Sequence, residues 1–351
     1  MKSYFLQVKD IIQETEDAIT IQFWHPISEQ IKYKAGQFIT ITIPDENGKK
    51  IKRSYSMSSS PHSDTAVGVT VKRVKNGVVS NYLNDKVKKG DFLEVIEPMG
   101  TFFFEPSEDA KRNIVLIGGG SGITPLISIA KSALKAEANT KVFLLYGNRS
   151  EESIIFKKSL EDLGQNFKDR FEISNILSQP NEYWVGQKGR INQGNATLIF
   201  KDWGLDFKKD LFFVCGPVDM MNEIKKIADV YEIPKEHFHI EKFNAPAVFD
   251  EFDHEKHIEL KTQKVKVNYD GSTYEFEVQP HQTILEAALE QDIDLPYSCQ
   301  AGMCTACMGK CTSGKIKMDE EEGLTQKEIK EGFVLTCVSH PLTEDVILEI
   351  D

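Results

Sequence analysis

The chain has 351 residues, 40% apolar and 27% charged, the composition of a folded protein with room for two or three domains rather than of a disordered or fibrous one. Its net charge of −12 argues against nucleic acid as a partner, because a phosphate backbone is met by excess Lys and Arg. No apolar run approaches the ~18 residues of a membrane span. Met1-Lys2-Ser3-Tyr4-Phe5 lacks the apolar core of a secretory signal, so no membrane insertion and a cytoplasmic location are expected.

Residues 3–104 read as short strands. Phe5–Val8, Ala18–Phe23, Gln37–Ile43 and Gly68–Lys72 are alternating or β-branched, and Pro, Gly, Asn and Ser clusters separate them. This spacing predicts a small antiparallel barrel. Within it, Arg53-Ser54-Tyr55-Ser56 sets a cation, an aromatic face and hydroxyls side by side, as a flavin phosphate and ring would need. A polar edge strand would look the same. Val71-Lys72-Arg73 and then Gly77-Val78-Val79-Ser80 follow, where Gly77 permits close backbone approach and Ser80 is expected to cap a short helix facing an anion.

The pattern changes at residue 110. Asn113–Ile117 is a continuous apolar strand of the kind buried on both faces of a parallel sheet. It runs into Gly118-Gly119-Gly120-Ser121-Gly122-Ile123-Thr124-Pro125 and a helix expected from Leu126 to about Ala136. Strand, glycine turn and helix in that order suit a dinucleotide, although the glycines depart from G-x-G-x-x-G. The second strand, Lys141–Tyr146, ends in Gly147-Asn148-Arg149-Ser150. An acidic residue there would accept a ribose hydroxyl, whereas Arg149 with Ser150 suits a 2′-phosphate and favours NADPH over NADH. Asp210–Val214 is another buried strand, leading to Cys215-Gly216-Pro217 and a helix over Val218–Val230. Cys215 has two readings, a small core residue or a group beside the nicotinamide at the strand's carboxyl end.

Residues 244–260 read as a charged linker, in which His254 and His257 are expected to be solvated rather than to bind metal. Beyond it, residues 261–351 hold 8 Lys and no Arg against 17 acidic residues. That acidity serves solubility or steers docking to a basic partner. A hairpin is expected at Lys264–Tyr269 and Ser272–Val278, turning on Asp270-Gly271. A helix over Ile284–Gln291 should follow, with Thr283 as N-cap and Glu286 completing a capping box, and Val346–Ile350 should close the sheet.

Between them lies Cys299-Gln300-Ala301-Gly302-Met303-Cys304-Thr305-Ala306-Cys307, answered thirty residues later by Cys337. C-x4-C-x2-C with a distant fourth cysteine is the plant-type ligand set for a [2Fe–2S] cluster, whose irons need soft anionic thiolates. A zinc site would show a second C-x2-C or a paired histidine set, and a disulfide framework belongs to small secreted domains. Cys311 is a possible substitute for Cys337 as fourth ligand.

These stretches together resemble the ferredoxin–NADP reductase superfamily with a fused C-terminal plant-type ferredoxin, in the domain order of oxygenase reductases. The resemblance spans the chain and implies a flavin-binding antiparallel β-barrel (1–108), an α/β parallel-sheet nucleotide domain (109–243), the linker (244–260) and an α+β β-grasp ferredoxin domain (261–351). It implies FAD, a [2Fe–2S] cluster and NADPH or NADH. Arg53 would contact flavin phosphate, with Ser54 beside it, Tyr55 would stack on the ring and Ser56 would bond near N5. Val71, Lys72, Arg73, Gly77, Val78 and Ser80 would line the pyrophosphate. Gly120, Gly122, Thr124, Arg149 and Ser150 would hold the nucleotide, with Gly216 and Pro217 beside it. Cys215 and Glu241 would stand near hydride transfer, and Cys299, Cys304, Cys307 and Cys337 would bind the cluster. The expected activity is electron transfer from NAD(P)H through FAD and the cluster to a separate oxygenase- or epoxidase-type partner. A hybrid-cluster or other non-oxygenase acceptor and a redox sensor are the alternatives.

Overall fold

The computed structural model describes residues 2–24, 31–45, 48–243, 261–321 and 323–350; His254 and His257 lie outside them. The chain divides after Phe243 into two compact units.

The first unit opens with an antiparallel sheet of β1 (Ser3–Thr15), β2 (Ala18–Phe23), β3 (Phe38–Pro44), β4 (Lys50–Ser56), β5 (Val67–Lys72) and β6 (Phe92–Met99), in the order β4-β3-β6-β1-β2-β5. A bridge between Met57 and Val69 brings the end of β4 to β5 and closes the barrel. Alternate residues such as Ile19, Ile21, Ile39, Ile41, Val69 and Val71 fill its interior. β1 runs well past the expected Val8 because it serves two neighbours, pairing with β6 over Ser3–Gln7 and with β2 from Val8 to Thr15, with a bulge after Val8. Helix α1 (Val78–Asp85) lies between β5 and β6.

Next come β7 (Asn113–Gly119), α2 (Ile123–Ala136), β8 (Lys141–Asn148), α3 (Lys157–Asn166), β9 (Phe171–Leu177), β10 (Gln187–Lys188), α4 (Gln193–Asp202), β11 (Leu211–Cys215), α5 (Val218–Tyr231) and β12 (Phe238–Glu241). The sheet is parallel, ordered β10-β9-β8-β7-β11-β12. Strand order reverses at β7, so the crevice outside the carboxyl ends of β7 and β11 is the switch point where such sheets take ligands. Helix α2 begins three residues earlier than expected, after a 3-10 turn at Gly120–Gly122. Pro125 is no obstacle, since the first-turn N–H it lacks would have had no intrahelical partner. Leu126, Ile127, Ile129 and Ala130 of α2 are all fully buried, as expected of a helix enclosed on more than one face.

Barrel and parallel sheet share a core. Phe102 and Phe104 meet Phe213 edge-on, with centroids 5.5 and 6.3 Å apart. Ser128 Oγ donates to the Ser59 carbonyl at 2.6 Å, Ser60 and Ser132 hydroxyls stand 2.8 Å apart, and Lys131 pairs with Asp64 at 3.2 Å. Buried neutral hydrogen bonds of this kind stabilise by about 1 kcal/mol each, and their directionality fixes how the two sheets face each other.

The second unit comprises β13 (Gln263–Tyr269), β14 (Ser272–Val278), α6 (Ile284–Glu290), β15 (Met308–Ser313), β16 (Ile316–Met318), α7 (Gln326–Lys330), β17 (Phe333–Leu335), β18 (Ser339–Pro341) and β19 (Val346–Ile350). Its main sheet runs β14-β13-β19-β15-β17, with β13 and β19 parallel, and β16 pairs with β18. The hairpin turns as expected, with both Asp270 (φ 49) and Gly271 (φ 71) in the left-handed region. Thr283 and Glu286 form the reciprocal capping box at α6, which lays Ile284, Leu285, Ala287 and Ala288 into the core. This is the β-grasp arrangement.

Candidate redox sites

At the switch point, register alone aligns Cys215 of β11 with Gly118 of β7 on one side and Glu241 of β12 on the other. Cys215 is wholly buried, and burial followed by the nearby Glu241 charge pushes its thiol well up. It is therefore a neutral thiol, unsuited to nucleophilic attack. Ser56, at the end of β4, donates from Oγ to Glu241 Oε2 at 3.3 Å. Three residues that sequence reasoning placed near hydride transfer thus stand at one crevice.

The glycine turn shapes the same crevice. A Cβ on Gly122 would lie 2.1 Å from the Cys215 carbonyl oxygen, so only glycine lets the start of α2 close onto the end of β11. Gly120 has φ +54 and open space where a Cβ would point. Its carbonyl accepts a 2.9 Å bond from the buried Tyr146 hydroxyl, which locks the turn. Thr124 Oγ1 donates to the Ser121 carbonyl at 3.1 Å, so its hydroxyl tightens the turn from within. Gly216 and Pro217 form the opposite lip, with Pro217 as the N-cap of α5.

On the barrel, strand alternation puts Arg53 and Tyr55 on one face of β4 and Ser54 and Ser56 on the other. Tyr55 is half-buried against the barrel core, and burial raises its hydroxyl pKa against the opposing pull of Arg53. The Ser54 hydroxyl is engaged with Thr40 at 2.8 Å. Arg53 Nη1 donates to the Lys52 carbonyl at 2.7 Å.

The turn after β5 corrects one expectation. Gly77, not Ser80, is the N-cap of α1, with no side-chain cap bond. Ser80 is buried in the first turn, and its Oγ accepts from Val74 N at 3.1 Å, bracing the loop that enters the helix. The first-turn amides, near Val78, are left for an anion. The Val71 side chain belongs to the barrel core and has only backbone to offer. Lys72 pairs with Asp17 at 3.5 Å and Arg73 with Asp85 at 2.6 Å, so both cations already have carboxylates.

Just past the carboxyl end of β8 Arg149 is exposed, and among the described residues it has no side-chain ion pair. Ser150 is the N-cap of the short turn Glu151–Ser153, exchanging bonds with Ser153. Sequence reasoning missed Asn175 on β9, whose Oδ1 is buried with no partner among the described residues. Nothing in the local pattern marks a polar residue in mid-strand; only its place opposite Tyr146 does.

In the second unit the cysteine loop brings sulfurs together. Cys299 and Cys304 sulfurs stand 3.2 Å apart, and the Ala301 amide points at Cys299 Sγ from 3.4 Å. Hydrogen bonds from Cys304 and Cys337 hold the Cys299 thiol well below its usual range, which places Cys337 with the loop. Cys307 is likewise lowered by Cys337. The Thr336 amide and hydroxyl both donate to the Cys307 carbonyl, at 3.1 and 3.2 Å, tying the two ligand segments together. Cys311 lies in β15 with its thiol donating to the Ser313 carbonyl at 3.1 Å, aimed along its own strand. Among the described residues no three His, Cys, Asp or Glu side chains converge on a single ion. A two-iron cluster asks for pairs, two thiolates to each iron.

Residues 6–104 match the family described as Oxidoreductase FAD-binding domain, 116–226 the Oxidoreductase NAD-binding domain and 267–342 the 2Fe-2S iron-sulfur cluster binding domain. A component of the 1,2-phenylacetyl-CoA epoxidase of Escherichia coli is 32% identical over 350 residues, covering 99% of this chain and 97% of that protein. The ferredoxin reductase component of 3-ketosteroid-9-alpha-monooxygenase from Rhodococcus rhodochrous is 31% identical with the same coverage. The chain belongs to this family of flavin and iron–sulfur reductases. The solved phthalate dioxygenase reductase shares the fold, with a TM-score of 0.64 at 22% identity over 99% of this chain and 98% of that one.

The reductase is an oxidoreductase whose cofactors are FAD, NAD(P)H and a [2Fe–2S] cluster. Its own residues fit them. The uncapped amides of α1 suit a pyrophosphate, the open side of Gly120 and the orphaned Asn175 oxygen suit a nucleotide, and the paired cysteine sulfurs suit two irons. Among the described residues no helix is long and apolar enough to cross a membrane.

Proposed function

We propose that this reductase takes electrons from NADPH and delivers them one at a time to a separate oxygenase- or epoxidase-type protein. The observation that carries the reading is the meeting of Ser56, Cys215 and Glu241 at the switch-point crevice, in a chain that also carries the four-cysteine loop. When bound, the flavin accepts a hydride and releases its electrons singly to the cluster, chemistry that belongs to the cofactors. The chain's part is orientation. Ser56 presents its hydroxyl at the end of β4 with its proton directed to Glu241, a hydrogen-bonded pair able to hold or pass a proton beside the ring. Cys215, small and neutral, lets a nicotinamide lie close to the sheet. Arg53 and Tyr55 grip the flavin from the other face of β4, and the α1 amides, with Gly77, Val78 and Lys72 near them, take the pyrophosphate.

Cys299, Cys304, Cys307 and Cys337 bind the cluster in this reading, and Arg149 takes a 2′-phosphate. The acceptor is assigned from the named relatives, which serve an epoxidase and a monooxygenase. The acidity of the C-terminal unit favours a basic docking face on that partner. A purely sensory role is disfavoured because a sensor has no use for a hydride crevice. We place the reductase in the cytoplasm, where NADPH is available and thiols stay reduced.

An anaerobic titration with NADPH, followed by visible absorption and electron paramagnetic resonance, tests the path. The flavin bands should bleach and the signal of a reduced [2Fe–2S] cluster should grow with them. Flavin reduction without any cluster signal would break the second half of the reading; no reduction by NADPH or NADH would break all of it.

A further inference from the structure

The C-terminal unit holds a buried histidine outside the electron path. His340 lies on β18, three residues beyond Cys337, and is only 9% exposed. Its Nδ1 is 2.9 Å from the Gln282 carbonyl oxygen and its Nε2 is 2.9 Å from Asp319 Oδ2. A carbonyl and a carboxylate can only accept, so each ring nitrogen must carry a proton to bond. Only the imidazolium does this. A neutral ring keeps one bond and turns a lone pair toward the other acceptor.

The charged groups around the ring are few. Asp319 faces Nε2. Lys317 sits opposite His340 in the β16–β18 register and 3.5 Å from Asp319. From α6, Glu290 holds the Gln282 side-chain amide at 2.5 Å. The Asp319 hydrogen bond raises His340 above its ordinary 6.5, with burial and Lys317 opposing, and His340 in turn holds Asp319 below its ordinary 3.8.

Asp319 begins a strap that lies on the cysteine loop. Its amide donates to the Val338 carbonyl at 2.9 Å, and Gly323 N donates to the Gly302 carbonyl at 2.8 Å. A Cβ on Gly302 would be 2.9 Å from Glu320 Cβ, and one on Gly323 would be 3.0 Å from the Cys304 amide nitrogen. The strap therefore sets the backbone between two cysteine ligands, whose amide directions tune a cluster's potential.

We propose that His340 is a positioning residue for the cluster, an imidazolium that latches this strap through Asp319 and anchors it to Gln282, and that losing its proton loosens the strap and couples the cluster to pH. The proposal rests on the four cysteines being the cluster ligands. The sign follows from linkage. The imidazolium's contribution is full below pH 6.5 and is lost as pH rises through its raised value; the carboxylate's is full above 3.8 and is lost as pH falls through its lowered value. The latch is closed between those limits and opens on the alkaline side. On the alkaline side, where the ring has lost its proton, one more negative charge on a reduced cluster would raise its proton affinity, so the electron supplied by NAD(P)H would draw a proton from solvent back onto His340.

The test uses the holoprotein, with the cluster's midpoint potential read by paramagnetic resonance from pH 6 to 9 and iron release to a chelator timed across the same range. In the unmodified protein the potential should fall as pH rises through the His340 titration, and iron should leave several-fold faster at pH 9 than at pH 6.5. Asp319→Asn should move that titration to lower pH, which a merely structural contact would not do. His340→Gln should abolish the pH dependence and release iron quickly throughout. If His340→Gln fails to fold, Asp319→Asn carries the test by itself. A chain with two irons, a pH-independent potential and pH-independent iron release overturns the latch alone. The same pH profile surviving in both variants also overturns it. A chain that holds no iron with all its cysteines intact overturns the ligand reading as well.

Discussion

In the proposed reading the crevice of the first unit and the cysteine loop of the second meet the same demand, holding a redox group, by opposite routes. The loop would draw three ligands from nine consecutive residues, where Cys299 and Cys304 meet through local backbone folding, and a fourth from Cys337. The crevice draws Ser56, Cys215 and Glu241 from three strands in two sheets, with Ser56 and Glu241 separated by 185 residues. Thiolate bonds to iron supply most of the geometry of a cluster, so the chain need only deliver sulfurs to the right neighbourhood. Hydride transfer has no such template and needs near-attack placement of two rings. The first unit supplies that rigidity through Phe102 and Phe104 against Phe213 and through the Ser59–Ser128 and Ser60–Ser132 bonds.

That contrast can be broken at either end. The largest effect is expected in the loop: Cys337→Ser should abolish the cluster, while Cys311→Ser should retain it, as read by iron and sulfide content. The reverse result would reassign the fourth ligand and make the local route less local than it looks. A smaller effect is expected in the crevice, where Glu241→Gln keeps the shape and removes the charge. Flavin reduction in stopped flow should slow by about 10²-fold, the usual contribution of a placed proton-handling group; an unchanged rate would reduce Glu241 to packing. Smallest is Arg149→Ala at the exposed carboxyl end of β8. It should raise KM for NADPH about tenfold, the equivalent of one charge-assisted contact, and leave KM for NADH nearly untouched. Equal effects on the two nucleotides would remove Arg149 from the 2′-phosphate.

Legibility followed the same division. The Asp270-Gly271 turn and the Thr283–Glu286 capping box are local codes, and each folds as read because the interactions span only a few residues; the cysteine loop likewise brings Cys299 and Cys304 together within one short segment. Ser80 misled because its hydroxyl meets Val74 N, leaving Gly77 as the cap; a residue that looks like an N-cap can equally brace the preceding turn. The carboxylates of Asp17 and Asp85 beside Lys72 and Arg73 had no local signal, since they come from the turn after β1 and the end of α1. The length of β1 was hidden because its second half answers to β2 rather than to its own alternation. Asn175 had no signal at all, its significance arising only from burial without a partner.

By itself, the sequence determined the three modules, their order and the cofactors they suit, because barrel strands, a glycine turn after a buried strand and a cysteine ladder are each written within one short window. Only the tertiary structure decided what those windows do together. Parallel register set Cys215 beside Glu241, and the fit of barrel to sheet carried Ser56 to the same place. The return of β18 put His340 between two acceptors. Such contacts join residues remote in sequence, and long-range packing, not local propensity, brings them within hydrogen-bond reach.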